Sequence, residues 1–261
     1  MWFWRIAMSR WDGVEELKLL LKEKGIVQRE RTPVEVMQWA VYDHLIGASL
    51  RRARDAISHL CRRSHEAVHE WVQKIGGYVR KALAKVNGDL HDVLVADETE
   101  LNVGGRILYL WVALDPATRA IFHLAMTEGR NILFARSFLL GIKTRYGSLP
   151  RLLITDGGVW YPSACRQLGV RHEWAVGGVR SYVERWNETL KDRGRLFDGY
   201  FPCSGECGYE HVLNWCFLFA FYYNHVRRHM SRGNRPPLGN RRGRVDSEWR
   251  RLLSRLTRAL T

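Results

Sequence analysis

Asp97 closes a short apolar run, Val93-Leu94-Val95-Ala96, and is followed by Glu98-Thr99. Hydrophobic strands of this kind are buried, and their carboxyl ends are where open α/β sheets place chemistry. Two later stretches offer acids in comparable settings: Leu152-Leu153-Ile154-Thr155-Asp156-Gly157-Gly158, and Ser181-Tyr182-Val183-Glu184. Three carboxylates gathered in a low dielectric repel, and one of them neutralises unless a cation is present. Mg²⁺ or Mn²⁺ resolves the conflict. Hard oxygen ligands suit those ions, and few protein ligands leave room for water and phosphate oxygens. Two such ions about 3.5–4 Å apart activate a nucleophile and stabilise the leaving oxygen of an in-line displacement at phosphorus. Asp97, Asp156 and Glu184 are therefore the candidate catalytic and metal-holding residues of a site that cuts and joins DNA. Water is the nucleophile for cutting and a DNA 3′-hydroxyl for joining, so no covalent protein intermediate is required.

Each acid also has a plain structural use. Asp97 can be a polar stop after a strand. Asp156 can make the Asp-Gly turn ahead of a helix. Glu184 can be the reach-back member of a capping box with Ser181 as cap.

The elements that must position these acids follow from period and punctuation. Leu90–Ala96 reads as a strand, Arg106–Leu114 as a second and Arg119–Met126 as a third, with a turn at Asp115-Pro116-Ala117-Thr118. Ile132 to Tyr146 reads as a helix, Leu152–Thr155 as a fourth strand, Val159–Leu168 as a helix and Val170–Trp174 as a fifth strand. Gly177-Gly178 is a loop, and a helix from Val179 to about Arg193 follows. The order βββαβαβα describes a mixed five-stranded sheet with helices on its faces. A crossover helix lets the first and fourth strands lie side by side and parallel, which brings the carboxyl ends of both, and hence two Asp, together. The last helix packs through Val183, Trp186 and Leu190, leaving Glu184, Asn187, Glu188 and Lys191 on its other face.

Ahead of the sheet the pattern is helical. Residues 14–24 form one helix, and Thr32-Pro33-Val34-Glu35 begins another, with Thr32 as cap, that runs to about residue 46. Ser49 to Ile75 holds two stripes, Leu50-Ala53-Ile57-Leu60 and Ala67-Val68-Trp71-Val72-Ile75, separated by Arg62-Arg63-Ser64. Two short helices around a tight basic turn outline a helix-turn-helix, with Ser64 capping the second helix and Glu66 in its first turn. The face expected toward DNA carries Arg62, Arg63, His65, His69, Gln73 and Lys74. A small helical hairpin with a solvated basic face is the plainer alternative. Gly76-Gly77 and Asn87-Gly88 place a boundary in 76–88. The expected domains are thus an all-α region at 1–87 with its helix-turn-helix at about 48–76, a catalytic domain at 88–240 and a basic helical tail at 241–261.

The composition supports this division. An apolar content of 46% with eleven Trp indicates a packed core, and a formal charge of +14 indicates a polyanionic partner. From Arg227 on, the chain holds eleven Arg against Asp246 and Glu248, a second phosphate-contacting surface that includes Arg228. Five Cys, an odd number in a long chain, imply no disulfide framework; Cys203 and Cys207 have zinc-like spacing without a second pair. The apolar start, Met1 to Ile6, is interrupted by Arg5, Arg10 and Asp12 and is too short for a signal core or a span. Cys207 to Met230 is long enough to span a bilayer, but His211, Asn214, Asn224, His225, Arg227 and Arg228 make it a buried core helix. An intracellular, cytoplasmic and nucleoid-associated protein is expected.

The blocks around the acids resemble a family. Asp97-Glu98-Thr99 with Tyr109-Leu110-Trp111-Val112-Ala113-Leu114-Asp115 is similar to the first block of insertion-sequence transposases with a DDE catalytic domain. Thr155-Asp156-Gly157 with Tyr161 resembles the second, and Glu184-Arg185-Trp186-Asn187-Glu188-Thr189-Leu190-Lys191-Asp192-Arg193 the third. Tyr223 to Met230, then Pro236-Pro237, is similar to the tail that closes this domain in such transposases and in retroviral integrases. The resemblance covers about residues 89–240. It implies a ribonuclease-H-like fold, dependence on Mg²⁺ or Mn²⁺ with two ions per site, and binding of the element's terminal inverted repeats by the N-terminal part. It also implies double-stranded target DNA as partner and a homodimer or larger assembly, because two ends are held together. The catalytic roles carry over to Asp97, Asp156 and Glu184, with Lys191 and Arg193 placed to hold the DNA end. Only 27 residues separate Asp156 from Glu184, short for this family, which leaves Glu188 and Glu173 as rival third ligands. Two other functions remain open: a decayed or domesticated transposase acting as a DNA-binding regulator, and a nuclease of RNA–DNA hybrids or junctions.

Overall fold

A computed structural model describes residues 32–85, 92–194 and 208–238. The expected helix at 14–24, the Asn87-Gly88 turn, the Cys203/Cys207 pair and the basic tail lie outside the described residues. The described residues fall into two compact units, 32–85 with 221–238, and 92–194 with 208–220.

In the first unit, α1 spans Val34–Ile46, α2 Leu50–Ala56 and α3 His65–Lys85. Helix α2 is capped by Ser49, whose Oγ accepts from Arg52 N–H, and Ala67 N–H donates to Ser64 Oγ at the start of α3 as expected. Thr32 does not cap α1. Pro33 holds that position, and Thr32, buried, accepts instead from Arg63 Nε at 2.5 Å. Helix α2 stops at Ala56, so Ile57 is buried but Leu60 is 43% exposed and leaves the expected stripe. Gly76-Gly77 do not break the chain either. Helix α3 runs through them because its apolar face continues from Val68, Trp71, Val72 and Ile75 to Val79, and that burial outweighs the cost of about 1 kcal/mol per helical glycine.

This unit contains His44 and His225, both buried. Burial lowers each pKa to about 4, and nearby His69 adds to the effect at His44. Below pH 6.5 the unfolded chain binds protons that the folded one refuses, so stability is full above pH 6.5 and falls as pH drops toward 4. At pH 5 each histidine is expected to cost about 2 kcal/mol. Urea titrations at pH 7.5 and pH 5 check this. An unchanged midpoint, or one that His44→Gln does not partly restore, contradicts it.

In the second unit the sheet is built from β1 (Val93–Val103), β2 (Arg106–Leu114), β3 (Ile121–Thr127), β4 (Leu152–Thr155) and β5 (Arg171–Trp174), in the order β3-β2-β1-β4-β5. The β1–β2 and β2–β3 pairs are antiparallel and the β1–β4 and β4–β5 pairs parallel. This is the mixed ribonuclease-H-like sheet the sequence leads one to expect. Asp115 fixes the β2–β3 turn, accepting from Ala117 N–H at 3.1 Å and Thr118 N–H at 2.7 Å. Helix α4 (Ile132–Tyr146) is capped by Asn131, and α5 (Trp160–Leu168) lies between β4 and β5. Leu94, Ala96, Trp111, Ala113 and Leu153 of the sheet meet Ala135, Phe138, Leu139 and Ile142 of α4 and Tyr161, Ala164 and Cys165 of α5 in one core. Helix α6 (Ser181–Gly194) contacts β1 and β2 and buries Val183, Trp186 and Leu190, as expected. Trp186 also meets Phe219 of α7 (Gly208–His225), with ring centroids 6.3 Å apart. No described helix is long and apolar enough to cross a membrane.

One difference matters for the site. Strand β1 does not end at Ala96; it runs seven residues further in a hairpin with β2. The parallel partner stops instead. Strand β4 pairs with β1 only through Val93, Leu94 and Val95, so Asp97 sits within β1 just where the sheet loses its neighbour on that side.

Candidate active site

The β1–β4 register aligns the first two acids. Val95 pairs with Ile154 as the last pair of the ladder, so Asp97 and Asp156 each come two residues after it, Asp97 still within β1 and Asp156 just past the end of β4. Side chains alternate along a strand, so Asp97 shares the face of Val95, and Glu98 turns to the opposite face. Each acid therefore has a different environment.

Asp97 lies on the α6 side, with its side chain 13% exposed. Asn187 of α6 donates from Nδ2 to its Oδ2 at 2.9 Å. Arg180, in a 3₁₀ turn at Gly178–Arg180 that leads into α6, approaches Oδ1 at 4.0 Å. The same guanidinium lies 2.9 Å from Glu184 Oε1, one helical turn on. Burial pushes the Asp97 carboxyl up to about 7. Glu98, Asp156 and Glu184 add to that shift, and Arg180 opposes it. Asp156 is exposed, and its Oδ1 accepts from Gly158 N–H at 3.1 Å, so it also makes the turn its sequence context suggests. Ser181 Oγ donates back to Gly178 O at 2.7 Å, so Ser181 does not cap α6 and the capping-box use of Glu184 does not occur.

Glu98 faces the core of α4 and α5. Tyr161 Oη donates to its Oε2 at 2.7 Å, and Arg130 lies 3.9 Å from Oε1. Burial raises its pKa, against the hydrogen bond from Tyr161. Sequence patterning missed Arg180, Glu98 and Tyr161 as partners of the acids. The i to i+4 spacing of Arg180 and Glu184 was a usable signal for the first.

Asp97 thus has Asp156 and Glu184 as electrostatic neighbours, yet the three are not drawn into one ligand cluster. Among the described residues, no group of three His, Cys, Asp or Glu side chains is arranged to hold a metal ion. Arg180 supplies the positive charge between Asp97 and Glu184. The donor set nevertheless suits a hard divalent cation. A carboxyl whose pKa is raised by burial and by neighbouring acids is relieved by a cation, and Asn187 Oδ1 is a buried oxygen without a hydrogen-bond partner. The rival acids stand elsewhere. Glu173 pairs with Arg171 at 2.5 Å, and Glu188 is exposed one turn beyond Glu184. Asn187 does not share the outer face with Glu188 and Lys191; it is 7% exposed and turned inward to Asp97.

The candidate DNA-contacting residues are scattered in exposure. Arg62, Lys74, Lys191 and Arg228 are exposed, whereas His65, His69, Gln73, Arg193 and Arg227 are half-buried. Arg63 is tied to Thr32 and to Arg62 O, and His65 Nε2 lies 3.0 Å from Glu66 Oε1.

Residues 92–199 match the family model DDE_Tnp_IS240, described as a DDE domain. The uncharacterized protein MJ0017 of Methanocaldococcus jannaschii is 30% identical over 214 residues, which are 82% of this chain and 97% of that protein. The uncharacterized protein aq_aa24 of Aquifex aeolicus is 39% identical over 76 residues, 29% of this chain and 61% of that protein. Among solved structures, the catalytic core domain of BIV integrase has a TM-score of 0.41 at 19% identity, covering 56% of this chain and 91% of that one. The HTLV-2 integrase catalytic core domain in complex with magnesium has a TM-score of 0.43 at 16% identity, covering 59% and 95%.

Proposed function

We infer the reaction from the family: the chain belongs to the DDE transposase family, and its site is read as one that cleaves DNA at the ends of an insertion sequence and joins those ends to target DNA. The observation that supports this reading is the β1–β4 ladder whose last pair, Val95–Ile154, comes two residues before both Asp97 and Asp156, with Glu184 on the helix whose Asn187 bonds Asp97. Asp97, Asp156 and Glu184 would hold one or two Mg²⁺ or Mn²⁺ ions, which supply Lewis acidity to an in-line displacement at phosphorus. Asn187 fixes the orientation of Asp97 through its amide. Arg180 balances Asp97 and Glu184, and its guanidinium is placed to pass from carboxylate to phosphate when DNA arrives. Arg62, Arg63, His65, His69, Gln73 and Lys74 are assigned to the terminal inverted repeat, Lys191 and Arg193 to the DNA end, and Arg227 and Arg228 to a second phosphate-contacting surface. A dimer or larger assembly would hold the two ends.

The test is cleavage of a terminal-repeat duplex with Mg²⁺ or Mn²⁺, in competition with an RNA–DNA hybrid and a four-way junction. Metal-dependent nicking at the repeat boundary, followed by joining to a second duplex, is expected. Preference for hybrid or junction moves the activity to another nuclease class. Repeat binding with no metal uptake or cleavage moves it to a DNA-binding regulator.

A further inference from the structure

We infer that Trp174 is a stacking platform for one unpaired nucleobase beside the scissile phosphate. It would hold open the terminal pair of a fully paired end, so that paired and already opened ends are cut alike. The inference rests on the nuclease reading of the Asp97–Asp156 site and adds a specificity-determining residue to it.

Trp174 closes β5, where it pairs with Thr155, the residue before Asp156. Its indole N–H donates to the backbone carbonyl of Asp156 at 2.9 Å. A Cβ on Gly157 would lie 2.8 Å from both Cδ1 and Nε1 of the indole, and Gly157 has φ +85°, in the region that favours glycine. The pyrrole edge therefore rests on bare backbone, which only glycine permits here. The neighbouring loop is tied down as well, since Ala175 N–H donates to Thr155 O at 3.1 Å. Despite this anchoring Trp174 is 68% exposed. A large aromatic side chain on a surface normally gains by turning its ring onto the protein. Here the ring is fixed by one edge and its body is left to solvent.

The occupant follows from place and chemistry. The residue whose carbonyl holds the indole is the one whose carboxylate is assigned to the reacting phosphate. Whatever lies against the ring is thus attached to a nucleotide flanking that phosphate. A base within a duplex is already stacked on both faces, so only a terminal or unpaired base can take up an indole. Stacking of this kind is worth about 1–3 kcal/mol per base and tolerates any base identity. The adjacent exposed apolar residues, Val159 after Asp156 and Val176 after Trp174, suit a base and offer nothing to a phosphate.

The experiment compares wild type, Trp174→Ala and Trp174→Phe on two terminal-repeat duplexes. One is fully paired; the other carries a mismatch at the pair flanking the cleavage point. Wild type is expected to cleave both at similar rates. Trp174→Ala is expected to lose about 10-fold or more on the paired end and much less on the mismatched end, and Trp174→Phe is expected to recover most of the loss. 2-Aminopurine at the flanking position should be quenched by wild type and not by the alanine variant. Equal losses on both ends, or quenching that survives in Trp174→Ala, overturn the inference while leaving the nuclease reading intact. A change of oligomeric state in Trp174→Ala with unchanged end preference overturns it in favour of a protein contact. Absence of cleavage by wild type on every DNA is instead the failure of the nuclease reading.

Discussion

Asp97→Asn is expected to abolish end cleavage and, at the same time, to raise the metal-free melting temperature. On the proposed function the first effect follows from losing a carboxylate that would hold the ions activating the nucleophile, a deficit of several kcal/mol or on the order of 10³-fold in rate. The second follows from the sign of the Asp97 shift. Its carboxyl titrates near 7 in the fold, well above the ordinary 3.8, because it is buried among Glu98, Asp156 and Glu184. The folded chain then binds more protons than the unfolded one between those values, so metal-free stability falls as pH rises through that window. Asparagine has nothing to ionise and can still accept from Asn187. Its gain at pH 8 is expected to be about 4 kcal/mol, or about 10 °C in Tm. Added Mg²⁺ should stabilise wild type and not the variant. Calorimetry at pH 5 and pH 8 with and without Mg²⁺ reads both effects. A variant that loses activity and stability together points to general damage in place of a relieved charge cluster.

The largest stability effect is expected at Trp111. It is fully buried in β2 directly opposite Glu98, and its indole donates to Thr127 Oγ1 at 2.7 Å. The Phe138 and Tyr161 rings lie at centroid distances of 5.8 and 5.7 Å. Trp111 therefore joins the sheet, α4 and the helix that follows Asp156. Trp111→Ala removes the ring contacts and leaves a cavity, with an expected cost of about 3–5 kcal/mol and a Tm lower by about 10 °C. Ile107→Ala on the same strand is the control. That side chain is 55% exposed, and its loss should stay within about 0.5 kcal/mol. Comparable losses at both positions would mean that the β2 face toward α4 is not the core that sets stability.

The architecture was largely legible because its signals are local. Alternating and continuous apolar runs mark the five strands, Asp115-Pro116 marks the turn between β2 and β3, and Asn131 caps α4. Even the approach of Asp97 to Asp156 could be argued, since a crossover helix forces β1 and β4 to run parallel. What escaped depends on partners far away in the chain. The end of β1 was placed at Ala96 because the apolar run stops there, but the hairpin with β2 carries the strand to Val103. Gly76-Gly77 looked like a break, and only tertiary burial around Ile75 and Val79 shows why the helix continues. In the site, the three acids were visible and their company was not. Asn187 was assigned to the outer face by spacing alone, yet 90 residues of separation close in its hydrogen bond to Asp97. Arg180 stands in the first turn of the helix expected from Val179, and its place as the charge between Asp97 and Glu184 appears only with the 3₁₀ turn at Gly178–Arg180.

The most direct test of the central claim is a crystal of the protein grown or soaked with Mn²⁺ and measured at the manganese absorption edge. The account predicts an anomalous peak beside the Asp97 and Asp156 carboxylates, which would hold the ion with Glu184. Crystals of protein that cleaves terminal repeats, with no anomalous signal beside Asp97 and Asp156 at saturating Mn²⁺, would contradict it.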